Sequence, residues 1–278
     1  MSTINCRGKI IALDVPLVMG VINVTPDSFY KGDLNLGPDA LAHMAGEMLN
    51  DGASIIDIGG QSTRPGSISL PASAEAQRVI PAIKAITAHH PGIILSIDTY
   101  YSTVAVAAVE AGASIVNDIS GGNADPDMLR TVASLKVPYI CMHMKGMPAT
   151  MQQEARYDNV VKEVLDFFIV RLDECRRAGI NDVIIDPGFG FGKTIEHNFS
   201  LLKDLQVFSM LNSPLLAGLS RKSTVYRTLG TTPEHALNGT TVLNTIALMN
   251  GASILRVHDV KEAKEAVTLY AAYKKAPL

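Results

Sequence analysis

Asp186 is a candidate ligand-binding acid because it directly follows a short apolar run. Residues 183–185 are apolar and β-branched, Pro187 ends the run, and glycines then alternate with phenylalanines up to Gly192. A continuous apolar run bounded by breakers is typical of a strand buried on both faces. Ligands bind at the carboxyl ends of such strands in parallel α/β proteins. The glycines would let the backbone and the aromatic rings approach a flat ligand.

Two phosphate-binding motifs are excluded in the same stretch. Gly192-Lys193-Thr194 resembles the end of a Walker A loop, but that motif requires glycine where this chain has Pro187. The glycines at 188, 190 and 192 also lack the G-x-G-x-x-G spacing of a dinucleotide fingerprint.

Polar side chains stand at the carboxyl end of every predicted central strand. They are Asn23, Asp57, Asp98, Asn117, His143, Asp186, Arg221 with Lys222, and Arg256 with His258. Acids and amides dominate the middle of the chain, whereas cations and histidine follow the last two strands. In parallel α/β barrels, phosphate often binds after the last two strands. Aspartate and asparagine suit a ring edge rich in N–H donors, and lysine suits a carbonyl or ring nitrogen. The pattern predicts a ligand with a polar heterocycle at one end and phosphate at the other, with Phe189 or Phe191 available to stack on it.

The sequence predicts eight strand–helix units, and each strand carries one of these polar groups at its carboxyl end. Predicted strands cover residues 16–24, 54–58, 93–98, 114–119, 137–144, 183–186, 214–220 and 253–258. Predicted helices cover residues 73–89, 102–111, 158–178, 196–208 and 261–274. Another is predicted to open at Gly37-Pro38-Asp39 and to be closed by Gly52, one is capped by Asp125-Pro126, and one starts at Thr232-Pro233-Glu234.

The predicted fold is therefore α/β, a TIM (β/α)8 barrel with a short N-terminal β-hairpin at residues 3–15, in one domain over residues 1–278. The length is close to the ~250 residues typical of such barrels. A doubly wound open sheet is the alternative. It usually has fewer units and a glycine-rich turn after its first strand, whereas this first strand ends in Asn23-Val-Thr-Pro-Asp27.

The sequence Gly-Ala-Ser-Ile occurs three times, beginning at residues 52, 112 and 251, and supports the barrel. Each glycine is predicted to end a helix before the next strand. Five residues after each glycine comes a polar residue, Asp57, Asn117 or Arg256. Because side chains alternate faces along a strand, equal spacing predicts that all three point into the barrel mouth. Burying them unpaired would cost about 1–3 kcal/mol each, so we expect them to share partners.

Composition narrows the class of protein. The net charge is -3, so no basic surface argues for nucleic acid as a partner. No apolar run approaches the ~18 residues of a membrane helix, and the first residues do not resemble a signal peptide. Cys6, Cys141 and Cys175 have no metal-site spacing. We expect reduced thiols and a cytoplasmic location.

Seven segments, in order over about residues 16–272, resemble the bacterial dihydropteroate synthases. They are Asn23-Val-Thr-Pro-Asp-Ser-Phe29, Ser62-Thr-Arg-Pro-Gly66, Asn117-Asp118, Met142-His-Met144, Asp186-Pro-Gly-Phe-Gly-Phe-Gly-Lys193, Ser220-Arg-Lys-Ser223 and Arg256-Val-His-Asp259. The resemblance implies transfer of a pterin from (7,8-dihydropterin-6-yl)methyl diphosphate to 4-aminobenzoate with release of diphosphate. It also implies Mg²⁺ as cofactor, small-molecule substrates and a homodimer.

Site residues follow from the resemblance position by position. Pterin recognition is implied for Asp98, Asn117, Asp186 and Lys222, and a neighbouring substrate contact for Met142. Diphosphate is implied at Arg256, His258 and Asn23, with Asn23 also at Mg²⁺. Aminobenzoate contacts are implied for Thr63, Pro65, Phe191, Lys222 and Ser223, with Phe29 close by, and a substrate contact is implied for Arg64. Asp98, Lys222, Arg256 and His258 are the implied catalytic residues.

The chain departs from the family pattern at a few positions. Gln61 stands where the family usually has glutamate, and the segments 120–122 and 30–32 are atypical. These departures bear on the loops more than on the chemistry.

The implied chemistry needs no strong base, because the aminobenzoate amine is already neutral at pH 7. Departure of diphosphate needs charge neutralisation, which Mg²⁺, Arg256 and His258 would supply. Asp98 is placed to stabilise a cationic pterin intermediate. Ser223 is predicted near a helix N-terminus, where backbone N–H groups favour a carboxylate.

Two alternatives stay open from the sequence alone. A methyltetrahydrofolate methyltransferase-type barrel would share the aspartate and asparagine ring recognition, but it would not need Arg256 or His258 to hold diphosphate. A non-catalytic pterin-binding or scaffold protein would show pterin affinity without turnover.

Overall fold

The structure is a computed structural model that describes residues 2–24, 37–62, 67, 69–148, 150–151 and 153–277. Its strands are β1 (Thr3–Cys6), β2 (Lys9–Ala12), β3 (Leu17–Asn23), β4 (Ile55–Gly59), β5 (Leu95–Asp98), β6 (Ile115–Asp118), β7 (Tyr139–Met142), β8 (Val183–Asp186), β9 (Leu216–Ala217) and β10 (Ile254–Val257). Its α-helices are α1 (Pro38–Asn50), α2 (Ala72–His89), α3 (Ser102–Ala111), α4 (Met128–Leu135), α5 (Val160–Ala178), α6 (Ile195–Lys203), α7 (Ser223–Thr228), α8 (Leu237–Met249) and α9 (Val260–Lys275).

Strands β3 to β10 form a parallel barrel, which confirms the predicted fold. Along the sheet the order is β8-β7-β6-β5-β4-β3-β10-β9. The sheet closes where Ile185 of β8 pairs with Leu215 just before β9, and the Ile185 N–H donates to the Pro214 carbonyl at 2.9 Å. Because these strands all run parallel, their carboxyl ends meet at one mouth.

The bottom of the barrel is filled with apolar side chains and covered by the N-terminal hairpin. One buried cluster joins interior residues of the barrel strands to three side chains from the hairpin and its exit, Ile4, Cys6 and Leu13. The hairpin strands β1 and β2 pair antiparallel. This plug closes the end opposite the mouth, so the mouth is the accessible end of the barrel interior.

Each of the three Gly-Ala-Ser-Ile repeats lies between a helix and the next strand, and its glycine follows the end of the helix. Gly52, Gly112 and Gly251 have φ of 105°, 128° and 98°, a left-handed conformation that side chains disfavour. The predicted glycine caps are thus confirmed.

Several predicted boundaries were wrong. The seventh barrel strand covers only residues 216–217 rather than 214–220, and the predicted helix 196–208 is α6 followed by a 3₁₀-helix at Leu205–Leu211. Asp125 does not cap α4. Its carboxylate accepts the Ser102 N–H at 2.7 Å, at the start of α3, and the Asp127 N–H at 2.9 Å, in the turn before α4.

Among the residues that the structure describes, no helix is both long and apolar enough to cross a membrane.

Candidate active site

The site residues lie at the mouth because of a two-residue alternation along each strand. Interior residues of the bottom cluster include Ile55, Ile115, Ile184 and Ile254. Two residues further along the same strands come Asp57, Asn117, Asp186 and Arg256. Side chains two apart share a face. The barrel interior is therefore apolar at its lower level and polar at its upper level.

Asp57 joins the polar residues of the three repeats into one hydrogen-bonded group. Its Oδ2 atom accepts from Asn117 Nδ2 at 3.0 Å and from Arg256 Nε at 2.7 Å. Asp57 is fully buried, and its Oδ1 atom has no hydrogen-bond partner among the described residues. The predicted common orientation of these three side chains is confirmed by these contacts.

Arg256 also binds Asp98, so one guanidinium bridges two carboxylates. The Arg256 Nη2 to Asp98 Oδ2 distance is 2.7 Å. Burial raises the pKa of Asp98 to about 7; Arg256 opposes this shift, and the neighbouring carboxylate Asp57 adds to it. A strongly perturbed pKa beside a paired guanidinium marks Asp98 as a candidate functional residue.

Asn23 and Asp98 flank a gap left by Gly59. The three residues lie side by side on β3, β4 and β5. A Cβ atom added to Gly59 would lie 3.5 Å from Asn23 Oδ1 and 3.7 Å from Asp98 Oδ2. Two side-chain oxygens thus border a space that any residue larger than glycine would fill.

Asp186, at the end of β8, and Lys222, after β9, complete the mouth beside Arg256 of β10. Asp186 is buried, one carboxylate oxygen accepts the Gly188 N–H at 2.8 Å, and burial raises its pKa while Lys222 opposes the rise. Lys222 Nζ donates to the Phe189 carbonyl at 2.5 Å and lies 4.7 Å from the centre of the Phe191 ring. Burial lowers the pKa of Lys222 to about 8, against the attraction of Asp186.

A small apolar cluster borders these charges. It is separate from the main core and contains Tyr100, Ile119, Met142, Met151 and Phe191. Met142 pairs in register with Asp186 on the neighbouring strand. The mouth therefore combines charged groups with an apolar surface, as expected for a flat heteroaromatic ligand.

His258 lies at the rim and Ser220 holds its ring. The Ser220 Oγ to His258 Nδ1 distance is 3.0 Å, and the His258 N–H donates to the same oxygen at 3.2 Å. Desolvation by the surrounding protein, and then the charge of Arg256, lower the pKa of His258 below its ordinary value.

Two side chains assigned to the mouth from sequence are engaged by other residues. Arg221 forms a two-pronged ion pair with Asp259 and donates to the carbonyls of Pro233 and Glu234, so it fastens the loop after β9. His143 is buried against Lys193, with 3.0 Å between its Nδ1 and the lysine Nζ. Local sequence could not show either outcome, because both depend on partners far along the chain.

Of the predicted aminobenzoate contacts not yet discussed, the structure describes only some. Ser223 is the first residue of α7, as expected near a helix start. Thr63, Arg64, Pro65 and Phe29 lie outside the described residues, as does the atypical segment 30–32.

Gln61, where the family usually has glutamate, is held by a buried network. Its Oε1 accepts from the Leu70 N–H at 2.7 Å and from Tyr100 Oη at 2.9 Å, while its Nε2 donates to Glu75 at 3.3 Å. Burial raises the pKa of Glu75 to about 7, against the Thr99 hydroxyl and Arg78. An amide suits this position because it donates to Glu75, whereas a second ionised carboxylate would repel it.

Comparison with known proteins agrees with this geometry. The model of the pterin binding enzyme family matches residues 19–258. The dihydropteroate synthase of Escherichia coli K12 is 45% identical over 264 residues, which is 94% of this chain and 93% of that protein. A solved structure of Xanthomonas albilineans dihydropteroate synthase with 4-aminobenzoic acid has a TM-score of 0.92 at 40% identity and covers 99% of each chain. Another structure of the enzyme from that organism, with 7,8-dihydropteroate, has a TM-score of 0.89 at 38% identity and covers 99% of this chain and 100% of that one.

The chain therefore belongs to the pterin-binding enzymes, a class defined here by a barrel whose mouth combines carboxylates, an amide and a lysine. Its activity is that of a dihydropteroate synthase. It is a transferase that condenses (7,8-dihydropterin-6-yl)methyl diphosphate with 4-aminobenzoate to 7,8-dihydropteroate and diphosphate, in tetrahydrofolate synthesis.

Proposed function

We propose that the mouth of the barrel carries out this condensation with Asp98, Asn117, Asp186 and Lys222 on the pterin and with Arg256 and His258 on the diphosphate. The observation that carries the proposal is the group of Asn117, Asp57, Arg256 and Asp98, joined by hydrogen bonds of 2.7–3.0 Å at the same mouth as Asp186 and Lys222. Formation of 7,8-dihydropteroate from the two substrates tests it.

The pterin ring suits the two sides of this mouth. Its amino-pyrimidinone edge presents N–H donors to the Asp186 carboxylate, and Lys222 can donate to a ring nitrogen or carbonyl. Phe191 and Met142 supply apolar contact beside the charges. Asp98 is placed to offset positive charge that develops on the ring when the bond to diphosphate breaks.

Arg256 gains a further partner in this proposal. In the free protein its Nε and Nη2 atoms bind two carboxylates, and its remaining N–H groups are donors for a phosphate oxygen. His258 is neutral at pH 7 by the direction of its pKa shift. It therefore binds the leaving group first as an N–H donor, and nearby diphosphate would favour its protonated form.

Asn23 would hold Mg²⁺ together with the diphosphate. Magnesium prefers oxygen ligands, binds few protein groups and keeps substrate phosphates and water in its shell. The oxygens beside the Gly59 gap fit such a shared site. Among the described residues, no group of three or more His, Cys, Asp or Glu side chains could hold a metal ion by itself. When bound, the ion would neutralise charge on the leaving diphosphate.

Aminobenzoate is expected to bind weakly to the free enzyme and tightly once diphosphate and Mg²⁺ are present. Segments 25–37 and 59–71 carry the implied contacts and are rich in Gly, Pro, Ser and Asp. Aminobenzoate offers little surface to offset an ordering cost of about 1–2 kcal/mol per fixed residue, whereas diphosphate with Mg²⁺ is the stronger organiser. Calorimetric titration of aminobenzoate with and without diphosphate and Mg²⁺ checks this. Equal affinity would show that the second pocket is preformed.

A homodimer is proposed through the exposed apolar face of α8. Val242, Ile246 and Met249 are 50%, 39% and 52% exposed and lie on one side of the helix, a pattern typical of an interaction surface. Replacing Val242 and Ile246 together by glutamate is expected to give a monomer in sedimentation velocity. The control Val170→Glu, at a 60% exposed position on α5, should leave the dimer intact. A dimer that survives the double change would exclude this face.

The three cysteines are free and buried. Reduced thiols suit the cytoplasm, where we place the enzyme.

A further inference from the structure

Lys193 is almost completely buried, with 3% of its surface exposed, and the reaction outlined above does not use it. Its ammonium lies within hydrogen-bond distance of four acceptors. They are His143 Nδ1 at 3.0 Å, the His143 carbonyl at 3.2 Å, and the carbonyls of Gly188 and Phe191 at 3.0 Å each. A buried ammonium normally needs such an acceptor shell, and it can supply only three protons, so the shell is complete.

The loop after β8 is wrapped around this ammonium. Gly188, Gly190 and Gly192 have φ of 70°, 84° and 60°, so alternate residues adopt the left-handed conformation. A Cβ atom at Gly188 or Gly192 would overlap the backbone carbonyls of His143 or Lys145. The alternating glycines therefore let the loop curl closely against the segment after β7, with two of its carbonyls turned toward Lys193.

The same loop positions three groups of the pterin site. Gly188, whose carbonyl contacts Lys193, donates its N–H to Asp186 at 2.8 Å. Phe191, whose carbonyl also contacts Lys193, places its ring 4.7 Å from Lys222 Nζ. The Phe189 carbonyl between them accepts from Lys222 at 2.5 Å.

We propose that Lys193 is a positioning residue: its ammonium acts as a tethered internal cation that fixes loop 187–192, and through it the Asp186 carboxylate, the Phe191 ring and Lys222 for pterin binding. The proposal rests on the proposed function, because it assigns the pterin to those three groups. It also requires His143 to accept through Nδ1, and therefore to be neutral with its proton on Nε2.

The neutral form of His143 and the set of acceptors around Lys193 support this arrangement. Burial and then the Lys193 charge lower the pKa of His143 to about 2, which favours the neutral ring that the geometry requires. Burial lowers the pKa of Lys193 to about 7, and Asp186 opposes that shift. Because all four neighbouring atoms act as acceptors, the protonated form of Lys193 has the matching hydrogen-bond pattern.

The test compares pterin affinity in Lys193→Met, Lys193→Gln and a matched control. Both lysine variants remove the charge, and glutamine keeps an N–H donor. Tyr157→Phe is the control, since it removes the 2.9 Å hydrogen bond from the Tyr157 hydroxyl to Gly192 on the same loop. Calorimetry with 6-hydroxymethylpterin on variants shown to be folded by circular dichroism should give at least a tenfold rise in Kd for both lysine variants. The control should change Kd less than threefold. A folded lysine variant whose affinity stays within twofold of the unchanged protein would overturn the proposal.

A second measurement on the unchanged protein covers the case in which neither lysine variant folds. Two-bond ¹H–¹⁵N spectra of the histidine rings should show His143 as the Nε2–H tautomer near pH 7. Addition of 6-hydroxymethylpterin should shift the Nδ1 resonance of His143, because the pterin is proposed to contact groups that are held by loop 187–192, which the Lys193 ammonium also binds. A proton on Nδ1, or an Nδ1 resonance unmoved by saturating pterin, would overturn the proposal. Failure of the unchanged protein to bind the pterin would instead count against the proposed function.

Discussion

Asp186→Asn is expected to raise the dissociation constant for a pterin by about 30- to 1000-fold. The estimate is the ~2–4 kcal/mol cost of breaking a charge-assisted contact and leaving buried groups unpaired. Asp186 is 6% exposed, and one oxygen already accepts from Gly188. An amide would place an N–H₂ group against either the Gly188 N–H or the ligand donors, so one acceptor is always lost.

Calorimetric titration with 6-hydroxymethylpterin measures this effect. Asp204→Asn, at an exposed position after α6, is the matched control and should bind like the unchanged protein. A change of less than twofold for Asp186→Asn would remove this residue from the pterin site.

Arg256→Ala is expected to weaken diphosphate binding more than binding of a phosphate-free pterin. The guanidinium is the cation shared by Asp57 and Asp98. Its loss leaves these two carboxylates without a positive partner. Breaking a buried ion pair in this way typically lowers the free energy of unfolding by about 3–5 kcal/mol. His258→Ala should show the same preference with a smaller effect and little loss of stability, since its ring bonds only Ser220 among the described side chains.

Thermal unfolding and two parallel titrations, one with diphosphate and Mg²⁺ and one with the pterin, separate these effects. Arg227→Ala, at an exposed position on α7, controls for loss of a positive charge. Equal losses for the two ligands would mean that Arg256 holds the barrel together and has no special role at the leaving group.

The barrel was predictable because its strands are short apolar runs that end in polar residues. Residues 183–186 were predicted as a strand and form β8. Equal spacing after Gly52, Gly112 and Gly251 was sufficient to place Asp57, Asn117 and Arg256 on one face. Period-two alternation is a local property, so sequence reveals it directly.

Partners far apart in sequence were not predictable. Arg221 looked like a mouth cation beside Lys222, but its position turns it toward Asp259, 38 residues away. The backbone at Arg221 has φ of 53°, a left-handed conformation that is uncommon for residues other than glycine and that its sequence does not predict. Lys193 was set aside with the false Walker motif, and only the folded chain shows the acceptors that surround it.

Product formation tests the central claim most directly. The protein is incubated with (7,8-dihydropterin-6-yl)methyl diphosphate, 4-aminobenzoate and Mg²⁺, and 7,8-dihydropteroate and released diphosphate are quantified by chromatography, with Asp186→Asn as the inactive comparison. The proposed site predicts equimolar dihydropteroate and diphosphate from the unchanged protein and at least 30-fold slower formation at limiting substrate by the variant, following the loss of pterin affinity. Pterin binding without dihydropteroate, or equal rates from both proteins, would contradict the assignment of this reaction to this mouth.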